Sequence, residues 1–210
     1  DYIAQMMFNS PPGASDAMDL AKMLAILEMT APLENENFRI LRQTRTGLLS
    51  YPLESNAARA HLSASIYLQM ALRPHIVHIV GHTEADHAAT AADVIDASLM
   101  ARQAIANALK GQPDMLADPL VQARKDHLIS EAQLTLAAIR SLAEPGSPHP
   151  LTDPAVLGKA VRLGILDAPH LRGSKIARGV INTRIIQGGC EAVRPDGSPL
   201  PEAERLSTYL

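Results

Sequence analysis

The stretch His75–Thr90, HIVHIVGHTEADHAAT, decides how this chain is read. Its first half, Ile76 to Val80, is rich in β-branched residues and bounded by Pro74 and Gly81, the pattern of a short buried strand. Its second half crowds His82, Glu84, Asp86 and His87 together. Thr90-Ala-Ala-Asp93 then opens an alanine-rich helix with the spacing of a capping box. Strand, polar loop, helix is one β/α unit. In parallel α/β folds the loop that follows the C-terminal end of a strand is where ligands bind and chemistry is done.

Two further units precede this one. Tyr2 to Phe8 is an apolar run ending in the turn-rich Asn9-Ser10-Pro11-Pro12-Gly13. Ser15 or Asp16 can cap the helix that follows, in which Leu20, Met23, Leu24 and Leu27 make one buried face until Pro32 stops it. Phe38 to Leu41 reads as the second strand and Arg42 to Gly47 as its polar C-terminal loop. A helix follows Pro52 and runs to about Leu72, apolar on nearly every side in its second half and so buried on more than one. Antiparallel neighbours need only a tight turn, so three strand-loop-helix units in succession imply parallel strands.

Downstream, the helix from Ala91 carries Val94, Ala97, Ala101, Ile105 and Ala108 along an apolar stripe and closes at Lys110-Gly111. Asp118-Pro119 starts a long helix with Val121, Leu128, Ala132, Ile139 and Leu142 on its inner side. Glu144 to Pro150 reads as a linker, and Thr152-Asp-Pro154 begins a short helix with Val156, Leu157 and Ala160 inward. Arg184 to Ile186 and Cys190 to Val193 read as short strands around Gly188-Gly189, followed by a polar tail. These signals divide the chain into a β/α region, residues 1–143, and a linker with a C-terminal α+β extension, residues 144–210.

Bulk properties narrow the function. With 210 residues, 47% of them apolar, the chain can bury a sizeable core. A net charge of −3, 19 Lys plus Arg and no basic block argue against a nucleic-acid or anionic-membrane surface. The single cysteine, Cys190, excludes an internal disulfide framework and points to a reducing cytoplasm. No apolar run approaches the roughly 20 residues of a membrane span. The first residue is Asp1, which leads us to expect a processed or truncated chain.

The polar clusters admit more than one chemistry. His82, Glu84 and His87 are ordinary metal-ligand types, but their spacing lacks the i, i+4 histidine register of zinc helices. His75 and His78 equally flank a strand, and His87 equally serves as a helix-entry residue. Glu84, aimed inward by an α/β loop, can accept two hydroxyl hydrogen bonds, as a ribose diol requires, or act as a general base; it can also be a solvated loop acid. Arg42 and Arg45 offer planar forks for a substrate carboxylate or phosphate, or serve as structural salt-bridge partners. Cys190 has no neighbouring His or second Cys that would make it a nucleophile.

The order RQTRTGLLSYP (Arg42–Pro52), a helix, HIVHIVGHTEADHAAT, then GKAVRLGILDAPHLRGSKIARG (Gly158–Gly179) and a Val193-x-x-Asp196-Gly197 hairpin resembles the C-terminal half of the catalytic subunit of adenosylcobalamin-dependent glutamate mutase, or methylaspartate mutase. The resemblance implies the last four units of a (β/α)8 TIM barrel plus an extension. It also implies either a missing N-terminal barrel half or a partner chain that closes the barrel, together with a small cobalamin-binding subunit and a homodimer. The implied reaction interconverts glutamate and 3-methylaspartate through homolysis of the cofactor's cobalt–carbon bond. The family's adenosyl-contacting positions fall on Tyr51, Val80, Glu84 and Ala88. Tyr51 keeps an aromatic ring and Glu84 the ribose-binding carboxylate, whereas Val80 replaces a lysine, for which His82 is the nearby substitute. The alternatives are a metal-dependent hydrolase or lyase built on His82, Glu84 and His87, and a catalytically inactive barrel relative kept for assembly.

Overall fold

The computed structural model describes residues 1–209. It contains two compact units, Asp1–Lys125 and Asp126–Leu210, with the division falling inside one long helix.

The first unit is a three-stranded parallel sheet in the order β1 (Tyr2–Phe8), β2 (Ile40–Thr46), β3 (Ile76–His78). Phe8 pairs with Thr46 and Arg45 with His78, so the C-terminal ends of the strands lie together. Helices α1 (Asp16–Thr30), α2 (Ser55–Gln69) and α3 (Ala91–Lys110) connect or follow the strands, giving the parallel β/α succession that the sequence implies. Ser15 caps α1 through the Met18 N–H, and Thr90 and Asp93 form the expected capping box on α3.

One face of the sheet is covered. Met6 and Phe8 of β1 pack against Leu20, Ala21 and Met23 of α1, with Leu68 and Leu72 completing the cluster. Leu62 and Ile66 of α2 belong to a second cluster with Ala97, Ala101 and Ala104 of α3 and with Tyr51 and Val80. Helix α2 therefore serves two cores, which is why its second half is apolar on several sides. The other face is open: Ile3 (47%) and Ile76 (38%) are exposed hydrophobics, and Gln5 and His78 are exposed beside half-buried Met7, Leu41, Gln43 and Arg45.

Several expectations need correction. Arg42 to Thr46 is strand, not loop, so Arg42 and Arg45 project from β2 itself. The polar run stays in the sheet because Thr44 and Thr46 are fully buried, and Thr46 is held by a hydroxyl–amide network from α2. The focal strand has only three paired residues, Ile76–His78, and Ile76 and His78 are exposed because their side chains lie on the open face of the sheet. Three parallel strands are present among the described residues, where the resemblance implies four β/α units. On α3 the buried stripe is Ala97, Ala101, Ala104 and Ala108, while Val94 is 55% exposed. Small alanines line the approach to α2, Met100 and Ile105 pack at its flanks, and Val94, Ile95 and Leu99 face outward.

Helix α4 (Pro119–Ser141) begins at Asp118, whose carboxylate accepts from Leu120 N–H, and Val121 joins the first core cluster. The second unit packs Ala138 and Ile139 of α4 against Val156 and Ala160 of α5 (Pro154–Leu163), Ile165 and Leu206. Strands β4 (Asn182–Ile186) and β5 (Gly189–Val193) form an antiparallel hairpin through Gln187-Gly188. The expected polar tail instead contains helix α6 (Glu202–Ser207). Its Arg205 is buried, pairs with Glu202 at 2.6 Å and donates to the Gly164 and Ile165 carbonyls, so a charged sequence hides a structural anchor. Asp167 caps the backbone N–H groups of Gly179, Val180 and Ile181.

Candidate functional site

The C-terminal ends of β1 and β2 meet around Gly47 and Asn9. Gly47 N–H donates to the Phe8 carbonyl at 2.7 Å, and a methyl group at Gly47 would sit 3.0 Å from the carbonyl oxygens of both Phe8 and Asn9. Asn9 itself has φ +54°, the left-handed region that asparagine tolerates better than most residues. Its backbone N–H donates to the buried Asp19 carboxylate, and its side-chain oxygen accepts from Ser65 at 2.7 Å. Lys22 pairs with Asp19 at 2.7 Å and also reaches the Ser10 carbonyl. Burial pushes the Asp19 carboxyl above its ordinary range, against the pull of Lys22. Thr46, Ser65 and Gln69 close the network: Thr46 donates to Ser65 at 2.9 Å, and the Gln69 amide donates to both hydroxyls.

The loops after β2 and β3 meet over this base. Tyr51 is buried and its hydroxyl donates to the Val80 carbonyl at 2.7 Å. Its phenol is pushed up to about 12, chiefly by burial and further by the charge of Glu84, while Thr46 and Arg45 oppose the rise. Arg45, Tyr51, Val80 and Glu84 therefore share one locality. The Glu84 carboxylate accepts from Gly81 N–H, and Glu84 N–H returns to the Gly81 carbonyl at 3.1 Å, so a tight turn holds the acid at the strand's end with the residue exposed.

His82 is 4% exposed, and neither of its ring nitrogens has a hydrogen-bond partner. Thr83 Oγ1 and Arg45 Nε are also buried without partners. Thr44 Oγ1 and Gln69 Oε1, in the interior of the unit, are likewise buried without partners, so unused hydrogen-bonding capacity runs from the sheet's interior to its carboxyl edge.

Other expected residues lie apart. Arg42 turns its guanidinium onto the Arg73 carbonyl, through Nε at 3.2 Å and Nη2 at 3.0 Å, at the opposite end of the sheet. There it lines a cavity of about 940 Å³ with Leu24, Leu27, Leu72, Leu109 and Met115. Its wall is mostly apolar, and it lies at the end where parallel sheets carry stability rather than chemistry. Ala88 is exposed in the loop before α3. His87 lies 2.9 Å from Asp86 and 3.8 Å from Asp93, whose carboxylate also feels the charge of His82, and His75 flanks β3 by accepting from Arg42 N–H. Among the described residues no three His, Cys, Asp or Glu side chains gather to hold a metal.

One pair carried no sequence signal. Ser50 Oγ lies 2.9 Å from His61 Nε2, and the His61 ring meets Tyr51 edge-on at 5.1 Å between centroids. Eleven residues and a turn separate the pair, a spacing that belongs to no motif. Burial lowers the His61 pKa, and the Asp16 carboxylate opposes that shift.

No protein-family model matches the chain, and no curated protein is significantly similar to it. Among the described residues no helix is long and apolar enough to cross a membrane.

Proposed function

We propose that the chain is part of a cobalamin-dependent carbon-skeleton mutase of the glutamate/3-methylaspartate type, whose parallel sheet is an arc of a (β/α)8 barrel and whose carboxyl edge holds the cofactor's adenosyl group. The observation that carries this reading is the convergence of Tyr51, Val80 and Glu84 on one locality. These are the positions onto which the glutamate mutase pattern lays its adenosyl contacts. The bare sheet face supports the barrel, because parallel sheets are covered on both sides. A complementary half-barrel and a small cobalamin-binding subunit are the partners this reading requires, in the cytoplasm.

The donors present suit a nucleoside sugar. Glu84 has a carboxylate oxygen beyond the one engaged by Gly81, and it accepts from a ribose hydroxyl. His82, Thr83 and Arg45 bring groups that have no partner within the protein. Val80 contributes only packing, since its carbonyl is taken by Tyr51, so the lysine role passes to His82. Bound adenosylcobalamin supplies the radical chemistry. The chain positions the sugar and keeps water from it.

Calorimetric titration of the chain with 5′-deoxyadenosine tests the reading without turnover. Saturable binding weakened about 10-fold by Glu84→Gln is expected, the loss of one hydrogen bond to a charged group. Absence of binding, or equal binding by the variant, overturns it.

A further inference from the structure

Ser50 and His61 form a chemical unit that the adenosyl reading leaves unused. Ser50 ends the short 3-10 turn Leu48–Ser50 that leaves the C-terminal end of β2, and His61 stands in the second turn of α2. Both are half-buried, so packing holds the pair while solvent still reaches it. The Tyr51 ring, nearly perpendicular to the imidazole at 80°, fixes its plane. We infer that Ser50 is a nucleophile with His61 as its general base, forming an acyl-transfer site for small activated esters.

The hydrogen bonds define the resting state and the step out of it. The Ser50 hydroxyl donates to the Gly47 carbonyl at 2.7 Å, so the contact with His61 is made by an Nε2–H that donates to Oγ. The reactive arrangement is the other neutral tautomer, with Nδ1 protonated and the hydroxyl turned toward Nε2. Gly47 keeps a donor in that arrangement, since Ser50 N–H lies 3.3 Å from its carbonyl. Burial keeps the imidazole unprotonated at neutral pH, the form a base needs, and Asp16 at the start of α1 is the carboxylate that acts on it.

In the reaction the Oγ–acyl bond forms as the ester's bond to its leaving oxygen breaks. The serine proton passes to Nε2 and then to that oxygen. Water next adds to the acyl-serine, giving a proton to the same nitrogen and its hydroxyl to the acyl group, and Ser50 recovers its proton. Ester and water become acid and alcohol, and no redox partner is needed.

Diisopropyl fluorophosphate is the probe, read by intact mass and peptide mapping of the full chain. A single adduct on the Ser50 peptide is expected, lost in Ser50→Ala and unchanged in Ser63→Ala. In His61→Gln the adduct should form at least about 100-fold more slowly, the usual worth of a general base. The labelling rate should rise with pH as one group deprotonates below the ordinary histidine range. Mapping the unmutated chain locates the adduct even where Ser50→Ala folds poorly. No adduct, an adduct elsewhere, or an equal rate in His61→Gln overturns the inference.

Discussion

The Tyr51 hydroxyl donates to the Val80 carbonyl at 2.7 Å and ties the loop after β2 to the segment that follows β3. Removing the hydroxyl leaves a buried carbonyl without its donor. Tyr51→Phe should therefore destabilise the first unit by about 1–3 kcal/mol, read as a lower urea midpoint.

Burial of the same phenol sets an alkaline limit. The Tyr51 phenol is raised from 10.0 in the unfolded chain to about 12 in the fold. A raised group stabilises fully below its unfolded value, and its contribution is lost as pH climbs through the folded one. Stability should fall between about pH 10 and 12, and absorbance at 295 nm should show one of the four tyrosines ionising last.

His61 works in the opposite direction. Its folded pKa is lowered by burial, so its contribution is complete above the ordinary value of 6.5 and is lost as pH falls through the lower folded one. Thermal midpoints measured from pH 7 downward should drop through that window, and His61→Gln should flatten the drop.

Gly47 follows β2 directly and donates to the Phe8 carbonyl at the end of β1, and a methyl group there presses on two backbone oxygens at 3.0 Å. Backbone yields less readily than a side chain. Gly47→Ala should cost about 1–3 kcal/mol, the range for overpacking, and disturb the Ser50 and Tyr51 signals in NMR spectra.

In the second unit, Arg205→Ala strands the Glu202 carboxylate and two carbonyls. A loss of about 3–5 kcal/mol is expected from breaking one side of a buried pair. Arg205→Met combined with Glu202→Gln should recover part of it.

The sequence was most readable where a local rule has no competitor. The Thr90–Asp93 cap, the Asp118-Pro119 helix start and the two short strands around Gly188 each follow from backbone chemistry within a few residues, and the structure has each of them. Strand β2 was misplaced because an apolar run is a poor guide when buried Thr46 is satisfied by Ser65 and Gln69, which lie about twenty residues away. Periodicity puts Val94 on the apolar stripe of α3, yet it is exposed, because periodicity reveals a stripe but not how near the neighbouring helix comes. In the candidate site, Tyr51, Val80 and Glu84 came together, Arg42 went to the far end, and Ser50 with His61 was invisible because only folding makes them neighbours.

Helices on one side only leave Ile3, Leu41 and Ile76 standing beside Gln5, Gln43 and His78 on bare pleats, between two strand margins with unused amides and carbonyls. Such a surface is sticky in a directional way, since it offers both grease and a template for another strand. Purified alone, this chain should elute from a sizing column at a volume that shifts with loading.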